Sequence, residues 1–371
     1  MSKAISLIED QWCFIAQFLP ENLDAHAHEH GAMRRKSGHI TSADQLLRVL
    51  MMHIAGGLSL EQTCARAKQR GLADINAMAL HKRLCTSSRW LTELTKYVVK
   101  SMTPFFGNEK SLSIKGKNLR ALDASTISEP GSTGTDWRIH YSIRLPELCC
   151  DFFELTDVKG GESVKRLNIN ENDVILLDRD YNDRQAISQL IEKSASVLLR
   201  FHSRAFPLLT KTGEALNLLP LLRKLKIGNI KEFDAYFQDK NTKKKYAVRI
   251  CVLRKSEEAA KKAERKIIAK ARDIADKIKS ETLEYSKYII VLTNVSIEEL
   301  TTKEVLEYYR ARWQIELAFK RLKTLLELGQ LPKKKEASSI SWMQGKILCA
   351  LLIERILCEA RFFSPWGYPL R

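Results

Sequence analysis

The first hundred residues repeat apolar and polar positions with the spacing of amphipathic helices. Apolar side chains recur at intervals of three and four along residues 46–54, which is the pattern of a helix with one buried face. Thr41 or Ser42 stands before this segment as a candidate N-cap, and Gly56 and Gly57 follow it as a stop signal. The pattern therefore predicts a helix between these signals.

Two more helical segments follow. Ser59 and Gln62 have the spacing of a capping box, which predicts a helix that runs to about residue 70. A third segment, 76–84, carries a His-Lys-Arg run. Short helices with a basic last member resemble a helix-turn-helix unit, but a plain helical bundle with a solvated basic face fits equally well. We predict a helical, helix-turn-helix-like DNA-binding domain over residues 1–110.

From about residue 117 the pattern becomes that of β-strands. Residues 119–123 are a candidate first strand that ends in aspartate. Residues 174–178 are a continuous apolar run that also ends in aspartate, and such a run is typical of a strand buried on both faces. Two other segments alternate as antiparallel neighbours do. The remaining elements predicted here are strands at 138–145, 151–158 and 197–201 and a helix at 182–193. Residues 111–203 are therefore predicted to be the first part of an α/β core.

Residues 204–283 differ from the core on either side of them. They hold lysine-rich strands joined by a basic hairpin tip that contains Lys243, Lys244 and Lys245, and then a highly charged helix. This composition predicts a β-rich insertion domain. The core is expected to resume at 284–330, with a strand at 288–293 and a long helix at 298–327. Residues 331–371 are predicted to form a C-terminal helical tail.

The predicted long helix carries an unusual set of side chains. Tyr309, Arg312, Glu316 and Lys323 lie at offsets 0, 3, 7 and 14, which fall within about 60° of one another on a continuous helix. Such a face combines a carboxylate that can hold a metal with cations that can hold phosphate. The alternative is an ordinary solvated helix, in which Glu316 pairs with Lys320.

Two aspartates are candidate partners for Glu316. Asp123 and Asp178 each end an apolar run, and the edge where strands end is where α/β proteins bind ligands. Three carboxylates that converge there can hold two Mg²⁺ ions about 4 Å apart, an arrangement suited to phosphodiester chemistry. Taken singly, each aspartate is more often a cap or a turn residue.

Composition narrows the class of partner. The chain has 371 residues with 61 Lys and Arg against 44 Asp and Glu, a net charge of +17, which favours a polyanion over an ordinary small substrate. Its eight cysteines include no C-x-x-C pair, which disfavours a zinc ribbon and indicates reduced thiols. The apolar stretches are too short to cross a bilayer and no signal peptide is evident, so we expect a cytoplasmic protein without a membrane partner. The run His26, His28, His30 is more consistent with a solvated helix end than with a metal site.

These residues resemble the DDE transposases of bacterial insertion sequences, specifically the insertion sequence 4 family. That family carries Y-x2-R-x3-E-x6-K, which this chain matches from Tyr309 to Lys323. Residues 122–126 and 177–181 resemble its first and second aspartate motifs, with Asp180 in place of the usual small residue. Residues 134–142 and 160–163 also resemble family stretches, and the resemblance covers about 40–330.

The resemblance implies a fold and a metal centre. The fold would be an RNase H-like mixed sheet flanked by helices, with the β-rich insertion before the glutamate helix and a helical N-terminal domain that binds terminal inverted repeats. Asp123, Asp178 and Glu316 would be the catalytic, metal-binding triad. They would hold two Mg²⁺ ions, for which Mn²⁺ can substitute.

The resemblance also implies DNA contacts. Tyr309, Arg312 and Lys323 would grip the phosphates at the cleaved end. Trp313 would either stack on a displaced base or pack in the core. Arg179 would brace the core or bind phosphate, and Asp180 is expected to be solvated rather than a spare ligand. Two lysine runs, at 243–245 and 333–335, would track the DNA backbone or form solvated loops.

The implied activity is cut-and-paste transposition in a bacterial, nucleoid-associated setting. The enzyme would cleave at insertion-sequence ends, pass through a hairpin intermediate and transfer the end into target DNA, as a synaptic homodimer on double-stranded DNA. Two alternatives remain open at this point: a catalytically inactive or domesticated DNA-binding relative, and an RNase H-like nuclease.

Overall fold

The computed structural model describes most of the chain. The described residues are 12–33, 40–102, 114, 116–132, 134, 136–145, 147–273, 278–329, 331–332 and 336–360. The predicted basic run at 333–335 lies outside them. No helix in these ranges is both long enough and apolar enough to cross a membrane.

The N-terminal part is helical, as its pattern predicted. Its helices are α1 (Leu23–Glu29), α2 (Ala43–Ile54), α3 (Leu60–Gln69), α4 (Ala77–Thr86) and α5 (Ser88–Met102). The side chain of Ser42 caps α2 by accepting a hydrogen bond from the Gln45 N–H, and Ser59 and Gln62 form the predicted capping box of α3. The start signals in the sequence therefore determine where these helices begin.

A single eight-stranded sheet forms the centre of the molecule. Its strands are β1 (Asn118–Ile127), β2 (Trp137–Arg144), β3 (Cys149–Asp157), β4 (Asp173–Leu177), β5 (Ser196–Arg200), β6 (Ile230–Gln238), β7 (Lys245–Arg254) and β8 (Tyr288–Thr293). The spatial order is β3-β2-β1-β4-β5-β8-β7-β6. Strands β1, β4 and β5 are parallel, whereas β2 and β8 run antiparallel to their neighbours. The predicted α/β, RNase H-like fold class is confirmed.

The strands of the predicted insertion continue this central sheet. Strand β7 pairs with β8 as well as with β6, so the hairpin of β6 and β7 extends the sheet beyond β8. Residues 248–252 of β7 are all buried, and a strand covered on both faces belongs inside a layered fold. Two helices follow the hairpin, α8 (Glu257–Asp273) and α9 (Ser280–Ser286). The division into five domains stays a prediction.

Helices cover both faces of the sheet. The remaining ones are α6 (Arg184–Glu192), the single-turn α7 (Leu219–Leu222), α10 (Thr302–Arg310), α11 (Trp313–Thr324) and α12 (Glu336–Ala360). Alternate residues of one strand face two separate cores. Ala121 of β1 packs in the core that includes the N-terminal helices and α12, whereas Leu122 packs in the core beneath α6.

The predicted helix at 298–327 is two helices, so the expectation of one continuous helix was wrong. Helix α10 ends at Arg310 and α11 begins at Trp313. Between them the Arg312 N–H bonds to the Tyr309 carbonyl at 3.1 Å, and the Ile315 N–H bonds to the Arg312 carbonyl at 3.1 Å. These bonds span three residues rather than four, so the chain tightens there into a 3-10-like turn.

Candidate active site

The first two carboxylates lie side by side because of strand register. Strands β1 and β4 are parallel, and Ala121 pairs with Leu176. Asp123 and Asp178, each two residues further along, are therefore level with each other at the carboxyl edge of the sheet. Asp178 also accepts a hydrogen bond from the Asp180 N–H at 2.8 Å and so caps a short 3-10 helix.

Arg312 connects Asp123 to the third carboxylate. Its guanidinium lies 3.4 Å from an Asp123 carboxylate oxygen and forms an ion pair with Glu316, which stands in the first turn of α11. The turn between α10 and α11 places Arg312 at the junction, where it can contact the sheet edge and the new helix together. The predicted acids Asp123 and Glu316 therefore meet at one arginine, and the third, Asp178, lies beside Asp123 within reach of the same positive charge.

Around Asp123 and Asp178 the carboxylates outnumber the cations that form ion pairs with them. Burial and then the neighbouring Asp178 raise the pKa of Asp123 to about 6, although Arg312 opposes the shift. Burial also raises the pKa of Asp178, and the Asp180 charge adds to that effect. Carboxylates that repel one another in a partly desolvated place are stabilised when a cation binds between them.

A second group of carboxylates shares Asp178 with the predicted triad and does not include Asp123 or Glu316. Carboxylate oxygens of Glu162, Asp178 and Asp180 lie within 4.8 Å of one another, the spacing of a potential metal site. Burial and then Asp180 raise the pKa of Glu162 to about 7, while Arg138, 3.9 Å away, opposes the shift. Asp180 is exposed, as expected, but its carboxylate is also within reach of a cation held by Asp178.

The donor set fits a hard divalent cation. All of these side chains offer carboxylate oxygens, which are the ligands that magnesium and manganese prefer. In the described residues, no group of His or Cys ligands has the spacing of a metal site. His26 and His28 lie in α1 and His30 caps it, consistent with the favoured interpretation of that run as a helix end.

The aromatic members of the predicted set have different surroundings. The Tyr309 hydroxyl donates to the Leu177 carbonyl at 3.2 Å, directly before Asp178. Burial raises the pKa of Tyr309 to about 12, so its hydroxyl remains a proton donor. Trp313 is 57% exposed at the start of α11, which contradicts the core-packing alternative for that residue.

Comparison with known proteins identifies the family. A family model described as the transposase DDE domain matches residues 156–352. The chain is 30% identical over 364 residues to the putative transposase InsL of insertion sequence element IS186A from Escherichia coli strain K12, and 96% of each protein is covered. The transposase of insertion sequence element IS421 from Escherichia coli is 30% identical over 365 residues with the same coverage.

The chain belongs to the DDE transposases. The predicted assignment to the insertion sequence 4 family is confirmed with it. Among solved structures, a piggyBac transposase synaptic complex with hairpin DNA covers 96% of this chain and 74% of its own, at 10% identity and a TM-score of 0.45.

Two predicted phosphate contacts of this transposase lie away from the carboxylates. Lys323, in the last turn of α11, lines a groove of about 840 Å³ together with His53 of α2 and Trp342 of α12. Burial lowers the pKa of the Lys323 ammonium. In the hairpin tip, Lys244 pairs with Glu192 at 3.1 Å, whereas Lys243 is exposed and its Nζ donates to the Lys240 carbonyl.

Sequence reasoning missed Glu162 as a member of the acidic cluster. It did single out residues 160–163 as a stretch that resembles the transposase family, but gave Glu162 no role. The missing information was spatial, because the loop after β3 must fold back onto the end of β4 to bring Glu162 to Asp178. A two-glycine turn followed by an acid, shortly before the second aspartate, was the available signal.

Proposed function

We propose that this chain is a DNA transposase that cleaves DNA at the ends of an insertion sequence and transfers the freed end into target DNA. The observation that carries the proposal is the meeting of Asp123 and Glu316 at Arg312, with Asp178 beside Asp123, at the carboxyl edge of an RNase H-like sheet. Alignment over nearly the whole chain with transposases of insertion sequence elements supports the same activity.

The three acids are the proposed metal-binding and catalytic residues. We propose two Mg²⁺ ions, with Mn²⁺ able to substitute, because carboxylate oxygens and mutual repulsion suit a hard cation. When bound, such ions activate the attacking water or 3′-hydroxyl and neutralise charge on the leaving oxygen. Glu316 approaches from a helix while Asp123 and Asp178 approach from the sheet, so the three carboxylates enclose a position between two layers.

The side chains around the acids orient the phosphate. Arg312 already contacts two of the carboxylates, and its remaining guanidinium donors suit a non-bridging phosphate oxygen. The Tyr309 hydroxyl, which stays protonated, is a neutral donor beside Asp178. Trp313 is exposed and so available to stack on an unpaired base. Lys323 and Arg179 would contact phosphates further along the strand.

The larger assembly is also part of the proposal. The helical N-terminal region would bind terminal inverted repeats, and a net charge of +17 favours simultaneous contact with end DNA and target DNA. We propose a homodimer as the synaptic form, a hairpin on the element end as the intermediate, and a bacterial cytoplasm, on the nucleoid, as the location.

Replacing Glu316 by Gln tests the proposal. The change removes one ligand charge at an exposed helix position, so we expect Mg²⁺-dependent nicking of end DNA to fall about a thousandfold while DNA binding persists. The DNA is the terminal inverted repeat found beside the reading frame, and Glu307→Gln on α10 is the control. Nicking by the Glu316 variant at the wild-type rate would refute the triad assignment.

The same assay separates the two alternatives. A wild-type protein that shifts end DNA but never nicks it, in Mg²⁺ or Mn²⁺, is a DNA-binding relative without catalysis. A protein that nicks the DNA but does not join a pre-cleaved end to a target duplex is a nuclease. Both activities together support the transposase.

A further inference from the structure

The row of side chains at the carboxyl edge of the sheet continues past the two aspartates. In the parallel pair of β4 and β5, Leu177 is level with Leu199. The next residues, Asp178 and Arg200, are therefore level with each other, as Asp123 is with Asp178. Neighbouring strands lie about 4.8 Å apart. Arg200 thus stands one strand beyond the carboxylates, in the same row.

A lysine lies close to this arginine. Arg200 donates from Nη2 to the Tyr288 carbonyl at 3.2 Å, and the Nζ of Lys255 donates to the Ser286 carbonyl at 2.6 Å. Both acceptors are neutral backbone groups on one short stretch of chain. Arg179, which follows Asp178, is the third cation of the group. We call Arg179, Arg200 and Lys255 the basic triplet.

No carboxylate of the described residues forms an ion pair with the basic triplet. Its members instead oppose one another. Burial and then Arg179 lower the pKa of Arg200 to about 10, and burial and then Arg200 lower the pKa of Lys255 to about 8. The nearby cavity, of about 90 Å³, is lined by Arg179 and Arg204 and by no acid among the described residues.

Buried arginines elsewhere in the chain have acidic partners. Arg120 pairs with Asp173 at 2.8 Å, and Arg249 pairs with Glu232 at 2.6 Å. Arg179 is exposed, whereas Arg200 and Lys255 are half-buried. Partly desolvated cations without an ion-pair partner are costly, and an arrangement of this kind is stabilised when an anion binds. The basic triplet is therefore suited to bind an anion that is not part of the chain.

We propose that the basic triplet is a subsite for a DNA phosphodiester next to the one that is cut. The proposal rests on the proposed transposase function, which supplies the DNA strand. Arg200 would hold a non-bridging oxygen through its fork of donors, and Lys255 would supply a point charge behind it. The strand would cross the sheet edge from β1 and β4 over β5 towards β8, so the triplet sets the position of the scissile phosphate over the acids.

Lys255→Gln tests the subsite, with Lys262→Gln on the exposed side of α8 as a control for loss of one charge. Affinity for a pre-cleaved end duplex is measured by fluorescence anisotropy over a range of salt concentrations. We expect Lys255→Gln to weaken binding about tenfold and to lower the magnitude of the log–log salt slope by about one. Equal affinities and slopes for the two variants would overturn the proposal.

A second measurement identifies the phosphate. Single linkages near the cleaved end are replaced in turn by neutral methylphosphonates. One linkage should weaken wild-type binding clearly and have a smaller effect in Lys255→Gln, because the variant has already lost one of the contacts to that phosphate. Losses that add at every linkage would mean that Lys255 contacts no phosphate, which refutes the subsite even if cleavage by the wild type proves the transposase function.

Unfolding temperatures, measured with and without inorganic phosphate, provide the remaining controls. Because the three cations repel one another, Lys255→Gln should not lower the unfolding temperature of the DNA-free protein. Lys255→Arg, which keeps the positive charge, should have the DNA affinity of the wild type. Inorganic phosphate should raise the unfolding temperature of the wild type more than that of Lys255→Gln. If phosphate does so while the methylphosphonate series shows no coupled linkage, the triplet binds a free anion and the DNA assignment is wrong.

Discussion

The two ends of the parallel pairing between β1 and β4 carry charged groups in opposite arrangements. At one end Arg120 forms ion pairs with Asp173 at 2.8 Å and with Asp151 at 2.5 Å, and all three side chains are buried. At the other end Asp123 and Asp178 face each other, with Arg312 as the nearest counter-charge. Ion pairs therefore balance the charges at the amino end of this strand pair, whereas the carboxylates at its carboxyl end keep an excess of negative charge.

This difference separates a structural role from a functional one. A buried arginine surrounded by acids holds β1, β3 and β4 in register and needs nothing from outside the chain. Carboxylates that raise one another's pKa lower the stability of the folded protein and persist because a ligand uses them. Charge balance, rather than burial alone, distinguishes the two ends.

Matched Asp-to-Asn changes at the two ends should have opposite effects on stability. Asp173→Asn leaves Arg120 with less counter-charge in a buried place, so we expect the free energy of unfolding to fall by about 3–5 kcal/mol. Asp178→Asn removes repulsion and should leave stability unchanged or raise it, while cleavage is lost. Urea denaturation and a nicking assay on the same preparations measure both quantities.

Asp234→Asn, at an exposed position of β6, is the control for this contrast. It should change neither stability nor cleavage. A loss of stability in Asp178→Asn as large as that in Asp173→Asn would mean that both ends of the strands are structural, and the distinction between them would fail.

The pH dependence of stability should show the same excess charge. In the unfolded chain Asp123 loses its proton near its ordinary pKa of 3.8, whereas in the fold it keeps the proton up to about pH 6. Stability without divalent cations should therefore fall as pH rises between these values, by about 2–3 kcal/mol in total from this group.

Urea midpoints between pH 4 and pH 7.5 measure this dependence. Asp123→Asn should have a flatter profile than the wild type, and added Mg²⁺ or Mn²⁺ should flatten the wild-type profile above pH 6. Glu162 and Glu354 also have raised pKa values and contribute to both profiles, so the difference between the proteins is the test. Parallel profiles would show that Asp123 does not experience the proposed repulsion.

Much of the fold could be predicted from local sequence signals. Cap residues such as Ser42 and Ser59 determined helix starts, and apolar runs identified strands β1 and β4, although β1 continues past Asp123 to Ile127. The membership of β6 and β7 in the main sheet could not be predicted, because strand pairing over long sequence separations depends on tertiary packing rather than on the pattern of one segment.

The sequence predicted those site residues that belong to a motif with fixed spacing. The spacing from Tyr309 to Glu316 survives the break between α10 and α11, since both residues of the turn keep helical backbone angles. Glu162 and Arg200 could not be found in this way. Each reaches the carboxyl edge from a different part of the chain, and only register and loop folding bring them beside Asp178.

The smallest effect should come from Arg312, the cation that forms ion pairs with Asp123 and Glu316 at the acidic end of the strand pair. Arg312 lowers the pKa of both Asp123 and Asp178, so Arg312→Gln should raise those pKa values further. We expect the pH midpoint for Mn²⁺ binding, followed by calorimetry, to rise by about one unit, with Arg312→Lys in between. Arg310→Gln, exposed at the end of α10, should leave the midpoint unchanged. If Arg312→Gln also leaves the pH midpoint unchanged, Arg312 does not reduce the repulsion between Asp123 and Asp178. The negative charge at that end is then balanced even less than the ion pairs of Arg312 indicate.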